Sequence, residues 1–451
     1  MRFRIPNISP SQGPASRPRA CSSSLAIVSA LAVLFSVAVP VALPAGSALA
    51  QEEETRQVQA LRERVFQALA KAQEKMDADD YAGAKRELEQ VRGLGDLNSY
   101  ERGQILYFSG LIEYQQDNLA AAIRIFEQVV ALPELPQGFR TDTMWALVQL
   151  AMAAEQYRKV LEYGNEWLRT AENPSGDPFY LLAVAHFQLK EYRKTVEMMD
   201  RAIQIAERDG AFAREDWYGL LRAGLHELGD TRRLRSVLEK LVARWPKKEY
   251  WLHLSTIYGE LNEERKQIAA LEAIYEAGWM TRENEVIQLA QLYMQGGGSF
   301  KGARILEEGM ESGLVQRNER NYRLLAQAWM QAQDDRRSIE PLREAAQRSS
   351  DGQLHIQLAQ SHLNLYEYNE CVEAARTAIS RGGLRRPGHA NIVLGTCLLE
   401  LKRYDQAREA FRAARSDSST RTSADRWIDF IDREVARKRD LEQQLARLED
   451  S

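Results

Sequence analysis

The side chains of this sequence best suited to metal chemistry are its six histidines, His186, His226, His253, His355, His362 and His389. A zinc-binding HExxH helix needs two histidines four positions apart with a glutamate beside the first. No pair of these histidines has that spacing. His355 and His362 are seven positions apart and would share one helix face, but no acidic residue lies there in a matching position. We interpret both as surface or groove residues and predict no metal site.

Residues for nucleophilic or acid–base catalysis show no recognisable arrangement either. The sequence has no G-x-S-x-G segment, the turn that presents a nucleophilic serine in hydrolases. Acidic pairs occur at Asp79-Asp80, Glu263-Glu264 and Asp334-Asp335, each where a helix is expected to begin. Carboxylates there are solvated and stabilise the positive end of a helix. The sequence therefore predicts a protein that is not an enzyme, binds no cofactor and has no small-molecule substrate.

Two of the three cysteines lie in the body of the chain. Cys371 and Cys397 each fall in an apolar pattern of helical spacing, where a small buried residue is expected. In an exported protein such a pair could oxidise to a disulfide. The apolar patterns favour two buried thiols instead.

Residues 1–50 have the layout of a secretory signal. An apolar run over residues 25–39 follows a segment whose only charges are arginines, and Ala48-Leu49-Ala50 forms a small-x-small cleavage site. We therefore predict a signal peptide over residues 1–50 and a periplasmic location. An uncleaved inner-membrane anchor is the alternative, although this largely apolar run spans 15 positions, fewer than the roughly 20 residues that a spanning helix needs.

The net charge argues against nucleic acid as a partner. The whole chain carries a formal charge of −4, and removal of residues 1–50 would take away four arginines and no acids, leaving about −8. An acidic protein repels the phosphate backbone, so broad nucleic-acid binding is disfavoured.

The elements that would position these residues follow a repeat, whose clearest unit extends from Leu394 to Ala414. Apolar residues mark two successive helices, with a short polar turn before Tyr404. We expect the small residue Ala407 of the second helix to let that helix approach Gly395 of the first closely. This spacing resembles that of a tetratricopeptide repeat.

The position of Ala407 recurs along the chain at intervals of 33 to 39 residues. We call the residues at this position the ruler residues: Ala84, Ala122, Val160, Thr195, Leu234, Gln267, Gly302, Ser338, Cys371 and Ala407. A unit of about 34 residues with small loop insertions explains these intervals. The sequence therefore predicts an all-α solenoid of tetratricopeptide type, a right-handed superhelix of about ten helix pairs.

Composition and rhythm divide the chain into segments. After the signal peptide we place degenerate repeats over residues 51–170, middle repeats over 171–245, C-terminal repeats over 246–423, and a capping helix with a charged tail over 424–451. Leu441, Leu445 and Leu448 form a thin apolar stripe in that tail. The stripe is typical of a frayed cap, and a short coiled-coil contact is the alternative.

A partner would bind to the concave surface, which the first helices of such repeats line. Counting from the repeat unit gives twelve candidate residues in three successive first helices. They are Asn284, Ile287, Gln291 and Met294 in one repeat, Arg320, Arg323, Gln327 and Met330 in the next, and Gln353, Ile356, Gln360 and Leu363 in the third. Amides can bond an extended backbone, methionine adapts to an apolar anchor, and the two arginines could meet a carboxylate. Polar residues that simply face water would give the same pattern.

Several segments between residues 245 and 430 resemble a more specific family, the periplasmic tetratricopeptide proteins associated with TonB–ExbB–ExbD systems. The matching segments are residues 275–279, 289–293, 303–309, 324–329, 350–352, 358–361 and 381–384. The chain departs from the family at Gly298-Ser299-Phe300, where a proline-aromatic-lysine turn is expected. The resemblance implies a role in energy transfer from the inner-membrane motor to outer-membrane receptors that import iron complexes, and it carries over no catalytic residue.

These observations together predict a non-catalytic periplasmic adaptor that binds protein partners, possessing no nucleic-acid or small-molecule site. The resemblance makes components of the TonB–ExbB–ExbD type the expected partners. A scaffold for outer-membrane assembly, cell-wall or polysaccharide-export machinery is the alternative, because the repeats fit it equally well.

Overall fold

The computed structural model describes residues 61–449 apart from 209 and 211, without the side chains of residues 446–449. Every regular element of the described residues is an α-helix, in agreement with the all-α prediction. The predicted signal peptide over residues 1–50 lies outside the described residues. Within them, no helix combines the length and the apolar character needed to cross a membrane.

Twenty of the described helices form ten consecutive pairs. The first helices are α1 (Glu63–Asp77), α3 (Ser99–Gln115), α5 (Gln137–Ala153), α7 (Gly176–Gln188), α9 (Glu215–Leu228), α11 (Lys248–Glu260), α13 (Glu283–Gln295), α15 (Glu319–Gln331), α17 (Gln353–Asn364) and α19 (Pro387–Glu400). The second helices are α2 (Tyr81–Arg92), α4 (Leu119–Val130), α6 (Tyr157–Thr170), α8 (Tyr192–Glu207), α10 (Thr231–Arg244), α12 (Glu264–Glu276), α14 (Ser299–Glu311), α16 (Asp335–Arg348), α18 (Tyr368–Arg381) and α20 (Tyr404–Ala414). The prediction of about ten helix pairs is confirmed.

The turn inside every pair contains one residue in the left-handed region, with φ between 55° and 80°. These turn residues are Asp79, Asp117, Glu155, Lys190, Gly229, Asn262, Gly297, Gln333, Tyr366 and Lys402. Eight of the ten carry a side chain. Asp79, Asp117 and Asn262 are of the types that tolerate this conformation, whereas it is unfavourable for the other five. Gly297 lies in the glycine run before Ser299.

Each ruler residue lies five positions after a turn residue, as the fourth residue of a second helix. Nine of the ten ruler residues are buried. Gln267 is half-buried. It packs against Gly259 of the first helix, where an added methyl group would lie 2.8 Å from the side-chain nitrogen of Gln267. The regular spacing therefore reports a regular packing position.

The close approach expected between Gly395 and Ala407 involves a different neighbour. A methyl group at Gly395 would lie 2.7 Å from Cε1 of Phe411, whose ring supplies the three nearest atoms. The expectation is therefore wrong about the nearest partner of Gly395. Phe411 lies one turn after Ala407 in α20, and its ring packs against α19 in the space that Gly395 leaves.

The helix α21 (Arg421–Glu449) follows the tenth pair and begins three residues before the expected cap at residue 424. Ala424 and Ile431 are buried, and the Trp427 ring stacks on Phe411 with centroids 5.8 Å apart. Leu441 and Leu445 are exposed. The first turns of α21 thus cover the last pair, while its second half leaves Leu441 and Leu445 uncovered. The third leucine of the predicted stripe, Leu448, lies outside the described side chains.

Cys371 and Cys397 form a disulfide between α18 and α19, with their Cα atoms 6.2 Å apart. Both residues are fully buried, as the apolar patterns indicate. The prediction of two free thiols is wrong because α18 ends one pair and α19 begins the next. Stacking of these two helices brings the sulfur atoms together across 26 positions of sequence.

We predict that Lys190→Gly stabilises the protein. Lys190 is exposed and has a φ of 61°, so glycine removes a conformational cost while no described contact of the side chain is lost. Allowing for the greater freedom of glycine in the unfolded chain, the free energy of unfolding should rise by about 0.5–1 kcal/mol. Urea denaturation measures this change.

The matched control is Lys71→Gly, an exposed lysine inside α1. There glycine should lower the free energy of unfolding by about 1 kcal/mol, because it weakens a regular helix. Destabilisation of similar size in both variants would contradict the role assigned to the turn residue.

A second prediction concerns the disulfide. The double variant Cys371→Ala/Cys397→Ala should lose about 3 kcal/mol of stability, the value expected for a crosslink that closes a loop of this length. Urea denaturation without reductant measures the loss. Titration of two free thiols in unfolded, unreduced wild-type protein would show that the crosslink does not form.

Candidate protein-binding surface

The twelve candidate residues occupy equivalent positions on α13, α15 and α17, at 13, 10, 6 and 3 residues before the turn residue of each pair. Their exposure differs. Asn284, Gln291, Arg320, Arg323 and Gln327 are exposed, whereas Ile287, Met294, Met330, Gln353, Gln360 and Leu363 are half-buried. Ile356 is only 8% exposed and belongs to the core. The inclusion of Ile356 as a binding residue is therefore wrong, because α17 turns this position towards its neighbours.

The structure brings three of the candidates together in one cleft. This cleft, of about 320 Å³, lies between α13 and α15, and we call it the amide cleft. It is lined by Gln291, Met294, Gln295, Leu324, Gln327 and Gln331. Sequence reasoning missed Gln295, Leu324 and Gln331. The two missed glutamines follow Gln291 and Gln327 by four positions, and that spacing on one helix face was the available signal.

No charged side chain lines the amide cleft. Each glutamine amide offers two N–H donors and a carbonyl acceptor, which matches the alternating groups of a polypeptide backbone. Ser299 Oγ donates to Oε1 of Gln331 at 3.3 Å, which orients that side chain and leaves its N–H groups available. Met294 and Leu324 pack against the core beneath and supply an apolar floor. The cleft is suited to an extended, uncharged segment with an apolar anchor.

The two arginines of α15 do not line the cleft. The Arg323 guanidinium pairs with Glu319 one turn earlier, with Nη2 and Oε1 2.5 Å apart. Arg320 makes no hydrogen bond or ion pair with another described residue. A carboxylate of a partner would therefore find Arg320 free and Arg323 already engaged.

The candidates of α17 are also engaged within the chain. Gln360 Nε2 donates to Asn364 at 3.1 Å, and Gln353 Oε1 accepts from the backbone N–H of Arg385 at 3.2 Å. Leu363 packs against the core. The structure therefore concentrates the accessible amides at α13 and α15 and does not extend the cleft to α17.

Glu285 fixes the N-terminal end of α13, the helix that forms one wall of the cleft. Its side chain is 4% exposed and contacts the Lys248 ammonium at 2.9 Å and the Arg282 guanidinium at 2.8 Å. The backbone N–H of Thr281 donates to it at 3.0 Å. Burial alone would raise the pKa of this carboxyl, but hydrogen bonds from Lys248, Arg282 and Thr281 outweigh burial and lower the pKa to about 2.

The chemistry-bearing residues of the sequence act as structural groups. His362 is buried and its Nδ1 lies 2.7 Å from Oε2 of Glu367, so its interpretation as a surface or groove residue is wrong. The sequence pattern does not reveal this pair, because the turn after α17 brings Glu367, five positions after His362, back against the end of the helix. Asp80 and Asp334 each accept a backbone N–H at the start of a second helix, as the sequence predicts for these turn acids. Among the described residues, no three histidine, cysteine, aspartate or glutamate side chains form a group that could hold a metal ion.

We predict that Glu285→Gln destabilises the protein in a pH-dependent manner. A carboxyl whose folded pKa is below its ordinary value of 4.5 stabilises the folded state above that value. This stabilisation is lost as the pH falls from 4.5 to about 2. The variant should be less stable by about 2 kcal/mol at pH 7, and the difference should vanish near pH 2. Urea denaturation across this pH range measures it.

The control is Glu249→Gln. Glu249 is exposed on α11 and makes no hydrogen bond or ion pair with another described residue. Its replacement should change stability little at any pH. A pH-independent loss in Glu285→Gln would mean that shape rather than charge accounts for the role of Glu285.

Comparison with known proteins identifies the repeat at both ends of the described region. A family model of the tetratricopeptide repeat matches residues 69–138 and 356–420. The first match begins in α1, and the second extends from α17 to α20. No curated protein matches the chain.

Solved structures similar to the chain include a tetratricopeptide repeat protein from Parabacteroides merdae. It is 13% identical, with 59% of this chain and 98% of that chain covered and a TM-score of 0.34. The Naa15/Naa10 complex bound to HypK-THB is 13% identical, with 81% and 66% covered and a TM-score of 0.42. YrrB, a tetratricopeptide protein with an unusual peptide-binding site, is 14% identical, with 42% and 90% covered and a TM-score of 0.32. Scores this low carry no inference about partners.

The assignment follows from the matched repeats together with the helix pairs between them. All ten pairs share the turn residue, the ruler position and the stacking order. The described chain is an all-α solenoid of tetratricopeptide repeats, a class of protein that generally binds other proteins and is generally not catalytic.

Proposed function

We propose that this protein is a non-catalytic adaptor that holds an extended segment of a protein partner in the amide cleft between α13 and α15. The observation that carries the proposal is the convergence of four glutamines around Met294 and Leu324. Amides satisfy the backbone of an extended segment, while the apolar floor receives one of its side chains. The adaptor thereby recognises a stretch of chain rather than a reactive group.

The chemistry of the cleft favours a polypeptide over other ligands. A phosphate-bearing ligand needs cations to replace its counterions, and none lines the cleft. The net charge of −4 opposes such a ligand as well. A peptide segment needs paired donors and acceptors along its length, which glutamines on two neighbouring helices supply.

The partner belongs, in this proposal, to a TonB–ExbB–ExbD energy-transduction system in the periplasm. Three observations support it. Residues 1–50 have the layout of a secretory signal. The disulfide between Cys371 and Cys397 suits an oxidising compartment. The segments between residues 275 and 384 resemble periplasmic proteins of these systems, and the two cleft helices α13 and α15 lie within them.

Photocrosslinking in intact cells tests both parts of the proposal. A photoreactive residue at Gln291 or Gln327 should capture the partner, because both side chains line the cleft. The same residue at Gln347 should not, because Gln347 is exposed on the second helix α16 and is not part of the cleft. Mass spectrometry of the adducts identifies the partner.

Each outcome decides one part. TonB, ExbB or ExbD components on Gln291 and Gln327 support the whole proposal. Outer-membrane assembly, cell-wall or polysaccharide-export proteins at the same positions keep the adaptor and replace its system. Adducts at Gln347 without adducts at the cleft would show that the protein binds through another face.

A further inference from the structure

A second group of side chains on the first helices joins α9 to α11. Nη1 of Arg222 lies 3.2 Å from Nδ1 of His253, and the His253 ring lies 5.9 Å from that of His226. The Arg222 guanidinium also lies over the Tyr250 ring, 5.5 Å from its centroid. Three nitrogen-rich side chains from two neighbouring repeats therefore meet at one place, which we call the basic cluster: Arg222, His226 and His253.

The basic cluster has donors without acceptors. Arg222 makes no ion pair with a described acid, and its Nε is buried without a hydrogen-bond partner. Glu215, which binds the hydroxyl of Tyr250, is already paired with Lys247. No acid of the described chain therefore neutralises the guanidinium charge of Arg222, which remains able to attract a carboxylate from outside the chain.

The hydrogen bond to Arg222 fixes the protonation of His253. Because a guanidinium can only donate, Nδ1 of His253 must accept, and its proton therefore resides on Nε2. Burial, together with the nearby Arg222 and His226, lowers the pKa of His253 to about 4. At neutral pH the ring is thus a neutral imidazole whose Nε2–H makes no hydrogen bond to another described residue.

The basic cluster faces the same side of the solenoid as the amide cleft. His226 lies three residues before the turn residue Gly229, as Met294 lies three before Gly297. His253 lies nine residues before Asn262, as Leu324 lies nine before Gln333. The cluster therefore occupies the position of the amide cleft, two repeats earlier in the chain.

We infer that the basic cluster binds a carboxylate of the same protein partner whose uncharged segment fills the amide cleft. This inference rests on the proposed adaptor function. The Arg222 guanidinium provides a charge-assisted donor for a carboxylate, and the neutral His253 ring provides a second donor through its Nε2–H. The adjacent guanidinium would repel a divalent cation, so the two imidazoles are suited to an anion rather than to a metal ion.

Three synthetic peptides test the inference with the full mature chain. All three peptides are N-acetylated, so that their amino ends carry no charge. Hexaglutamine with an amidated C-terminus is then neutral, hexaglutamine with a free C-terminus carries a terminal carboxylate, and an amidated hexapeptide with one central glutamate carries a side-chain carboxylate. The ring signals of His226 and His253 are followed by NMR on histidine-labelled protein. Both acidic peptides, or one of them, should shift these signals, and the neutral peptide should not.

Variants connect the shifts to the residues. Arg222→Met should weaken binding of the acidic peptide by about tenfold or more, the usual effect of losing a charged hydrogen bond. Arg232→Met is the matched control, an exposed arginine on the second helix α10 outside the cluster, and should change nothing. His226→Ala removes an exposed ring without disturbing the core and should weaken binding about threefold.

The responses of the two acidic peptides show whether the partner offers a chain terminus or a side chain. Equal shifts with the neutral peptide, or unchanged affinity in Arg222→Met and His226→Ala, would overturn the inference. Thermal melting confirms that each variant is folded. Crosslinking at Gln291 and Gln327 is independent of these peptides. If a partner is captured there but the acidic peptides do not shift the histidine signals, the basic cluster does not bind a carboxylate and the proposed adaptor function still holds.

Discussion

The left-handed residue between the two helices of each pair is the constraint from which the rest of the solenoid follows. It reverses the chain within a few residues and places the fourth residue of the second helix against the first helix, in all ten described pairs. Once that contact is fixed, the remaining faces of both helices have fixed directions. Eight of the ten pairs accept a side chain at this unfavourable backbone position, which indicates that packing of the pair outweighs the local cost.

This arrangement separates stability from recognition. Ruler residues and their neighbours form the core, whereas positions 3, 6 and 13 residues before the turn residue remain at least partly accessible on α13, α15 and α17. Side chains there can change without changing the stack. The amide cleft and the basic cluster illustrate the result, since Met294 and His226 occupy the same place in two repeats and create different chemistry.

Specific contacts between neighbouring pairs, namely an ion pair, a disulfide and a stacked tryptophan, add to the general packing of the helices. Glu285 of α13 is held by Lys248 of α11, so one wall of the cleft is anchored to the preceding repeat by a buried carboxylate. The disulfide joins α18 to α19 near the end of the array, and Trp427 of α21 then covers the last pair. Each repeat of a solenoid contacts only the repeats next to it, so a cross-link of this kind stabilises only the repeats that it joins.

The sequence by itself determined the ten helix pairs, their boundaries near the turn residues and the line of first-helix positions that contains Gln291 and Gln327. Each of these follows from local periodicity, which a single helix or turn imposes on its own residues. Tertiary structure alone decided the pairing of Cys371 with Cys397, the burial of Ile356 and the meeting of Arg222 with His253. These contacts cross from one pair to the next, and they depend on the angle and distance at which neighbouring helices stack, which no local pattern records.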